Sequence, residues 1–371
     1  MSIAACLVAL AAAATLRAAE TGSLQLTLPP AWYGVPGVPI SLYYDNIVLT
    51  ETPEQYRFTV QCDIGKAEAR RWTVTPADAA VGDHAVSVSV ADASGKLLQK
   101  ARTTLRVVRR DAGKGKSTRL LIVGDSLTNA TAYPNEIARL LSLPDNPAWT
   151  MFGTHKTANA TKGVAHEGYG GWTWRSFVSR YEPKPEPEKR KISSPFVFPG
   201  ADGKPALDLP RYFKESCKGE RPDYVTFLLG INDCFSAKPD DPKAMDGTLD
   251  AMFKEADTLR AAFRKAAPAA DLGVCLTTPP NARESGFEAN YKGKYHRWGW
   301  KRIQHRIVER QLERFAGKES QRIFIVPTEL NLDPVDGYPD NNGVHPNVTG
   351  YKQVGATIYA WIKWRLQTTV H

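Results

Sequence analysis

Downstream of residue 118, the hydrophobic positions follow two alternating patterns. Short runs of consecutive apolar residues are typical of strands buried on both faces, whereas apolar residues at every third or fourth position indicate amphipathic helices. The predicted strands are 119–123, 148–152, 223–229, 272–277 and 322–326, and the predicted helices are 133–142, 246–267, 299–316 and 350–366. Strands that alternate with helices predict a parallel sheet with helices on both faces.

Residues 20–110 carry a different pattern, in which apolar and polar residues alternate. This period of two is typical of antiparallel strands, and Gly, Pro and Asp residues separate the runs. The runs are 24–28, 56–60, 85–90 and 103–108, with a hairpin turn predicted over 92–95. We therefore predict a small β-sandwich domain over 20–110, a polar linker over 111–118 and an α/β domain over 119–371.

The N-terminal 19 residues differ from both parts. An almost wholly apolar run over 3–16 is followed by Ala18 and Ala19, which resembles the core and cleavage region of a secretory signal. No basic residue precedes this run, and the run is too short to span a bilayer comfortably. We expect a signal peptide over 1–19, a secreted or periplasmic protein, and no membrane span once the signal is removed.

Charge and cysteine content indicate which partners and metal sites are to be expected. The formal net charge is +9, but Lys and Arg are scattered and no nucleic-acid motif is present, so no nucleic-acid partner is predicted. Four cysteines follow the signal and form no C-x-x-C pair, so no metal site is expected. No cofactor is predicted either. The sequence determines neither disulfide pairing nor the oligomeric state.

Polar residues that suit acyl-transfer chemistry follow the predicted strands. Ser126 comes directly after the first strand, in a Gly-Asp-Ser-Leu-Thr sequence that would equally suit the start of a helix. A glycine-rich segment over 167–173 follows the second strand, Asn232 follows the third, and His345 precedes the last helix. The carboxyl ends of parallel strands face one crevice, so these residues are expected to meet there. An acyl-transfer enzyme needs a nucleophile, a base, a group that orients the base, and oxyanion donors.

In this order, four sequence blocks resemble those of the SGNH (GDSL-type) hydrolase family. The blocks are Gly124-Asp125-Ser126-Leu127, Gly170-Gly171 with Thr173, Gly230-Ile231-Asn232-Asp233, and Val344-His345-Pro346-Asn347 followed by Gly350-Tyr351. The resemblance spans 119–366 and implies a flavodoxin-like three-layer α/β/α sandwich. It also implies Ser126 as nucleophile and His345 as base. The oxyanion hole it implies consists of the backbone N–H groups of Ser126 and Gly171 and the side-chain amide of Asn232.

The chemistry of these residue types agrees with the implied roles. A glycine at 171 lets the backbone approach a developing oxyanion with no Cβ in the way. Asn232 offers amide donors without a charge that would neutralise the base. Asp125 and Asp233 suit structural roles, as acceptors of hydrogen bonds near the site.

The third member of the expected triad departs from the family pattern. The family commonly has an aspartate three residues before the histidine, where this chain has Asn342. Asn342 or a backbone carbonyl could accept the imidazole Nδ1–H of His345, as asparagine does in Cys-His-Asn triads. Alternatively Asp340 could reach the ring from a bulged loop, or Asp336 or Asp333 from further upstream. We favour a Ser-His dyad with uncharged support, with loss of activity as the remaining alternative.

Two tryptophans could contact the substrate, Trp172 in the glycine-rich segment and Trp298 in a predicted loop-to-helix segment. Trp172 and Trp298 are predicted to contact substrate because sugar rings present C–H groups to aromatic faces, although core packing explains them equally well. The function predicted is that of an exported serine esterase that removes acyl groups, in particular acetyl, from an oligosaccharide or polysaccharide. The alternatives are a lipase or phospholipase-like esterase, and a non-catalytic carbohydrate-binding protein with a decayed site.

Overall fold

A computed structural model describes residues 24–189 and 191–368 of the 371-residue chain. The predicted signal peptide over 1–19 lies outside the described residues. Within the described part, no helix combines the length and apolar character needed to cross a membrane.

The described residues form fifteen strands and ten α-helices. The strands are β1 (Ala31–Gly34), β2 (Ile40–Tyr43), β3 (Arg57–Gln61), β4 (Lys66–Ala67), β5 (Arg71–Val74), β6 (Gly82–Ala91), β7 (Leu97–Val107), β8 (Ser117–Gly124), β9 (Ala148–Phe152), β10 (Glu167–Gly168), β11 (Val197–Pro199), β12 (Pro205–Leu207), β13 (Tyr224–Leu228), β14 (Asp271–Cys275) and β15 (Ile323–Val326). The helices are α1 (Tyr44–Ile47), α2 (Ser126–Asn129), α3 (Ala132–Leu141), α4 (Trp174–Ser179), α5 (Leu209–Ser216), α6 (Ile231–Cys234), α7 (Pro242–Ala266), α8 (Glu284–Tyr291), α9 (Arg297–Phe315) and α10 (Val348–Thr368).

The C-terminal part is built on a parallel sheet. β9 and β10 share one edge of β8, and β13, β14 and β15 follow in order on its other side. Every pairing in this sheet is parallel. Counting β9 and β10 as one position, the strand order is 2-1-3-4-5, and the predicted flavodoxin-like architecture is confirmed. Each of the five predicted strands and four predicted long helices has a counterpart within a few residues.

The burial pattern explains why these segments became strands and helices. Every residue of β13 and β14 is buried, as expected for strands covered by helices on both faces. On α7, the buried residues recur at helical spacing, which leaves the opposite face to charged residues. The predicted linker over 111–118 overlaps the sheet, because β8 already begins at Ser117. The domain boundaries themselves stay a prediction.

The N-terminal region contains two sheets, in the orders β1-β7-β6-β3 and β2-β5-β4. Its pairings are antiparallel with one exception, since β1 runs parallel to β7. The hairpin turn predicted over 92–95 joins β6 to β7, where the N–H of Asp92 donates to the carbonyl of Lys96. The expected strand over 24–28 was wrong in extent. Within 24–28 only Leu26 forms a bridge, to Val48, and the following Pro29 and Pro30 have no N–H groups with which to extend the pairing.

Candidate active site

Ser126 lies where β8 ends and α2 begins. Asp125 caps this helix by accepting a hydrogen bond from the N–H of Leu127 at 3.0 Å. Gly124 must lack a side chain, because a Cβ there would lie 1.9 Å from Oγ1 of Thr128. The helix-start interpretation of this peptide is therefore correct. The same turn places Ser126, half-buried, at the carboxyl ends of the parallel strands.

The register of the strands brings the other predicted segments to the same carboxyl ends. Gly124 pairs with Gly168 on one side and with Leu228 on the other. The glycine-rich segment includes Gly168, and α6, which contains Asn232, begins three residues after Leu228. The carbonyl of Gly124 also accepts from the N–H of Tyr169 at 3.1 Å. Ser126 is therefore flanked by the two segments in which sequence analysis placed the oxyanion donors.

A chain of side-chain hydrogen bonds runs from Ser126 through His345 to Asn342. Ser126 Oγ lies 2.8 Å from His345 Nε2, and His345 Nδ1 lies 3.1 Å from Asn342 Oδ1. The same Oδ1 atom accepts from the backbone N–H groups of Val344 at 3.1 Å and His345 at 2.9 Å. Because only the amide oxygen can accept these backbone bonds, Asn342 presents an acceptor to the ring. His345 then carries its proton on Nδ1 and offers Nε2 as an acceptor to the serine hydroxyl.

The alternative carboxylates bind arginines instead. Asp333 and Asp336 both contact Arg70, at 3.1 Å and 2.6 Å. Asp340 pairs with Arg283 at 3.0 Å, and its side chain is 89% exposed. The structure thus places Asn342 beside His345 and directs the three aspartates elsewhere.

The two segments that carry the proposed oxyanion donors are connected to each other by hydrogen bonds. Asn232 donates from Nδ2 to the carbonyl of Trp172 at 3.0 Å, and Asp233 accepts from the N–H of Trp174 at 3.1 Å. Gly171 has a φ of +79°, a backbone conformation that favours glycine. These contacts fix Asn232 next to the glycine-rich turn, although its role as an oxyanion donor stays a proposal.

Burial shifts the pKa values of several groups around the serine. It lowers the pKa of His345 from its ordinary value, so the imidazole is neutral at neutral pH. It raises the pKa of Asp125 to about 7 and that of Asp233 to about 7. A neutral imidazole that accepts from a serine hydroxyl is the arrangement that general-base activation requires.

A buried network behind the glycine-rich segment was missed at the sequence level. Glu167 is fully buried and accepts four hydrogen bonds, from the N–H and hydroxyl of Thr154 and from the hydroxyls of Tyr169 and Tyr212, at 2.6–2.9 Å. His166 accepts from the N–H of Gly168 at 3.1 Å. No local signal could identify Glu167, because two of its partners lie 13 and 45 residues away.

The two predicted substrate-contacting tryptophans lie in different surroundings. Trp172 is 3% exposed and stacks on Tyr169, so its burial does not favour contact with a substrate. Trp298 is half-buried beneath the guanidinium of Arg302. Phe235, three residues after Asn232, is half-buried and packs against half-buried Tyr295, with ring centroids 4.6 Å apart.

The structure leaves the four described cysteines as free thiols, three of them buried. Among the residues described, no cluster of three or more His, Cys, Asp or Glu side chains is arranged to hold a metal ion.

A family model described as GDSL-like Lipase/Acylhydrolase matches residues 120–358. Comparison with curated proteins gives no significant match. A carbohydrate esterase family 3 structure from Talaromyces cellulolyticus aligns over 68% of this chain and 100% of its own, at 14% identity and a TM-score of 0.42. A family 3 carbohydrate esterase from Clostridium thermocellum aligns over 66% and 94%, at 17% identity and a TM-score of 0.42.

Proposed function

Because this chain belongs to the GDSL-like lipase/acylhydrolase family and is an ester-hydrolysing enzyme, we propose that Ser126 is its nucleophile and His345 its base. The observation that carries this proposal is the hydrogen-bonded series from Ser126 Oγ through the His345 ring to Asn342 Oδ1. It supplies a nucleophile, a neutral base and an acceptor that fixes the tautomer of the base.

Acylation begins when Ser126 Oγ attacks the ester carbonyl carbon. The hydroxyl proton passes to Nε2 of His345, while Nδ1–H remains bonded to Asn342. The carbonyl oxygen becomes an oxyanion, for which the proposed donors are the N–H groups of Ser126 and Gly171 and the amide of Asn232. Loss of one such donor in other hydrolases costs about 10²–10³ in turnover.

Acylation ends when the tetrahedral intermediate collapses and His345 gives its proton to the leaving alkoxide, which departs as an alcohol. Deacylation then repeats the same steps with water. A water molecule attacks the acyl-enzyme carbonyl while His345 accepts the proton of this water. Collapse of the second intermediate breaks the bond to Ser126 Oγ, and the proton returns to the serine. The net reaction is hydrolysis of one ester to an alcohol and a carboxylic acid.

We further propose that the substrate is an acetylated oligosaccharide or polysaccharide met outside the cytoplasm. Support comes from the signal-like segment over 1–19 and from the aromatic side chains that pack around Phe235. Phe235 lies three residues beyond Asn232 and packs against Tyr291 and Tyr295, with ring centroids 5.2 Å and 4.6 Å away. Half-buried aromatic rings beside an acyl-transfer site suit the C–H faces of sugars.

Acetate release from a panel of acetylated polysaccharides tests this proposal. We expect release by the wild-type enzyme and at least a 10³-fold loss in Ser126→Ala, since removal of the nucleophile leaves only binding and the oxyanion hole. Ser94→Ala, on the exposed hairpin of the N-terminal region, is the matched control and is expected to retain full activity. Hydrolysis of long-chain esters in preference to acetylated sugars would contradict the proposed substrate.

A further inference from the structure

The segment that carries Asn342 and His345 is long and irregular. It spans residues 327–347, between β15 and α10, and contains no helix or strand. A loop of this length inside a compact structure has no hydrogen-bonded ladder to fix its shape, so other parts of the chain must hold it. We call this segment the histidine loop.

Asn46, in the N-terminal region, binds the start of the histidine loop. Its side-chain amide donates to the carbonyl oxygens of Glu329 at 2.7 Å and Leu332 at 2.8 Å. Asn46 is 5% exposed, so both bonds form away from water. One side chain therefore fixes two carbonyls three residues apart.

The strand before Asn46 makes further bonds to the same stretch. The backbone N–H of Tyr43 donates to the carbonyl of Leu330 at 3.1 Å, and that of Ser41 donates to Oδ1 of Asn331 at 2.8 Å. The side chain of Leu330 belongs to the apolar core of the N-terminal region. The first part of the histidine loop is thus anchored by the N-terminal region through both backbone and core contacts.

Arg70 holds the middle of the histidine loop. Its guanidinium contacts Asp333 at 3.1 Å and Asp336 at 2.6 Å. The Asp333 side chain is 5% exposed and also accepts from the N–H groups of Val335 at 2.9 Å and Asp336 at 3.1 Å. Arg70 therefore fixes a turn that already has its own internal hydrogen bonds.

This turn is bonded to the residues beside His345. The carbonyl of Gly337 accepts from the N–H of Asn347 at 2.8 Å, and the side-chain amide of Asn347 donates to the carbonyl of Asp336 at 2.9 Å. Asn347 lies two residues after His345 and directly before α10. A displacement of the turn held by Arg70 would therefore be passed to the backbone of the catalytic histidine.

We propose that Arg70, together with Asn46, is a positioning residue for His345, and that the N-terminal region serves the active site by holding the histidine loop. The inference rests on the proposed roles of Ser126 and His345. Its physical basis is that misplacement of a catalytic group by about 1 Å can cost about 10²-fold in rate. Neither residue touches the reacting atoms, so each acts through the loop.

The full-length Arg70→Ala variant tests the proposal against Arg110→Ala. Arg110 is 50% exposed, compared with 48% for Arg70, and its partner Asp78 lies within the N-terminal region itself. The turnover of 4-nitrophenyl acetate is measured well below the melting temperature, per active site titrated with a serine-directed phosphonate. Amide hydrogen exchange over 333–347 is followed in parallel.

We expect Arg70→Ala to lower kcat about tenfold with KM within twofold, and to raise exchange in the histidine loop. Arg70→Lys should recover part of the kcat, because its single ammonium can bind one of the two carboxylates. Arg110→Ala should change neither kcat nor exchange. If Arg70→Ala does not fold, Asp336→Ala, at an exposed position, replaces it, with an expected fall of two- to fivefold.

An unchanged kcat per titrated site in Arg70→Ala or Asp336→Ala would overturn the inference while leaving the proposed function intact. A wild-type protein without esterase activity would contradict the proposed function instead. In that case amide hydrogen exchange alone tests the inference. Equal protection of the amides over 333–347 in the wild type and in Arg70→Ala would overturn it.

Discussion

Asn342 occupies the position at which SGNH hydrolases commonly carry the triad aspartate. Replacing that aspartate by asparagine in a serine protease costs about 10⁴ in turnover, mainly because the wrong tautomer forms. Here the backbone N–H groups of Val344 and His345 hold the amide oxygen toward Nδ1 of the ring. The tautomer is therefore correct, and only the stabilising charge of a carboxylate is missing.

Substitutions of Asn342 separate these two effects. In Asn342→Asp, the acceptor contacts are kept and a negative charge is added about 3 Å from the imidazole, so we expect a several-fold higher kcat and a raised pKa of His345. In Asn342→Ala, the turn and the acceptor are both lost, and we expect kcat to fall about 10²–10³-fold. Steady-state kinetics on a small acetyl ester measures both. Equal activity of Asn342→Ala and wild type would show that another group orients the ring.

The pKa of His345 gives a prediction for the pH profile. Burial disfavours the charged imidazolium, so the pKa of His345 lies below 6.5. Since the base must be neutral, the midpoint of the acidic limb of kcat/KM should lie below pH 6.5. Because the pKa of Asp233 is about 7, Asp233→Asn is the control, and the acidic limb should persist in this variant. A midpoint above 6.5 in the wild-type enzyme would contradict the assignment.

At the scale of elements, the α/β part was predictable because each signal was local. Buried strands such as β13 and β14 appear as continuous apolar runs, and α7 shows its buried face at helical spacing. The parallel pairing of β1 with β7 was not predictable, because alternation shows only that a strand has two different faces. The sequence also did not distinguish Trp172, in the core, from a surface residue.

Glu329 in the histidine loop predicts a pH dependence of stability. Burial raises its pKa to about 8, so between pH 4.5 and 8 the folded state holds a proton that the unfolded chain releases. The stabilising contribution of protonated Glu329 is therefore fully present below about pH 4.5, and it is lost as the pH rises through about 8. Glu329→Gln should leave the free energy of unfolding unchanged near pH 4 and raise it by at most about 5 kcal/mol at pH 8.5.

Denaturant unfolding at both pH values measures this difference. The exposed Glu54→Gln is the matched control, and it should change the free energy of unfolding equally little at either pH. A stabilisation by Glu329→Gln that is the same at both pH values would show that Glu329 is ionised in the folded protein.

In the whole molecule, the N-terminal region and the α/β part contact each other directly. Tyr33 stacks on Trp364 of α10, with ring centroids 4.7 Å apart, and Arg70 binds Asp333, which lies 263 residues further along the chain. The four sequence blocks could be located because three of them follow a strand and the fourth precedes the last helix. No role could be assigned to the N-terminal region from the sequence, since nothing in residues 20–110 points to partners so distant in the chain.

If Ser126 is the nucleophile, hydrolysis proceeds through an acyl-enzyme on this residue. Rapid acid quenching of the reaction with 4-nitrophenyl acetate, followed by peptide mapping by mass spectrometry, detects such an intermediate. We expect one acetyl group on Ser126 in the wild-type enzyme, its accumulation if deacylation is slowed in His345 variants, and none on this peptide in Ser126→Ala. Turnover without acetylated Ser126, or an acetyl group on another residue that forms and decays at the rate of turnover, would contradict it.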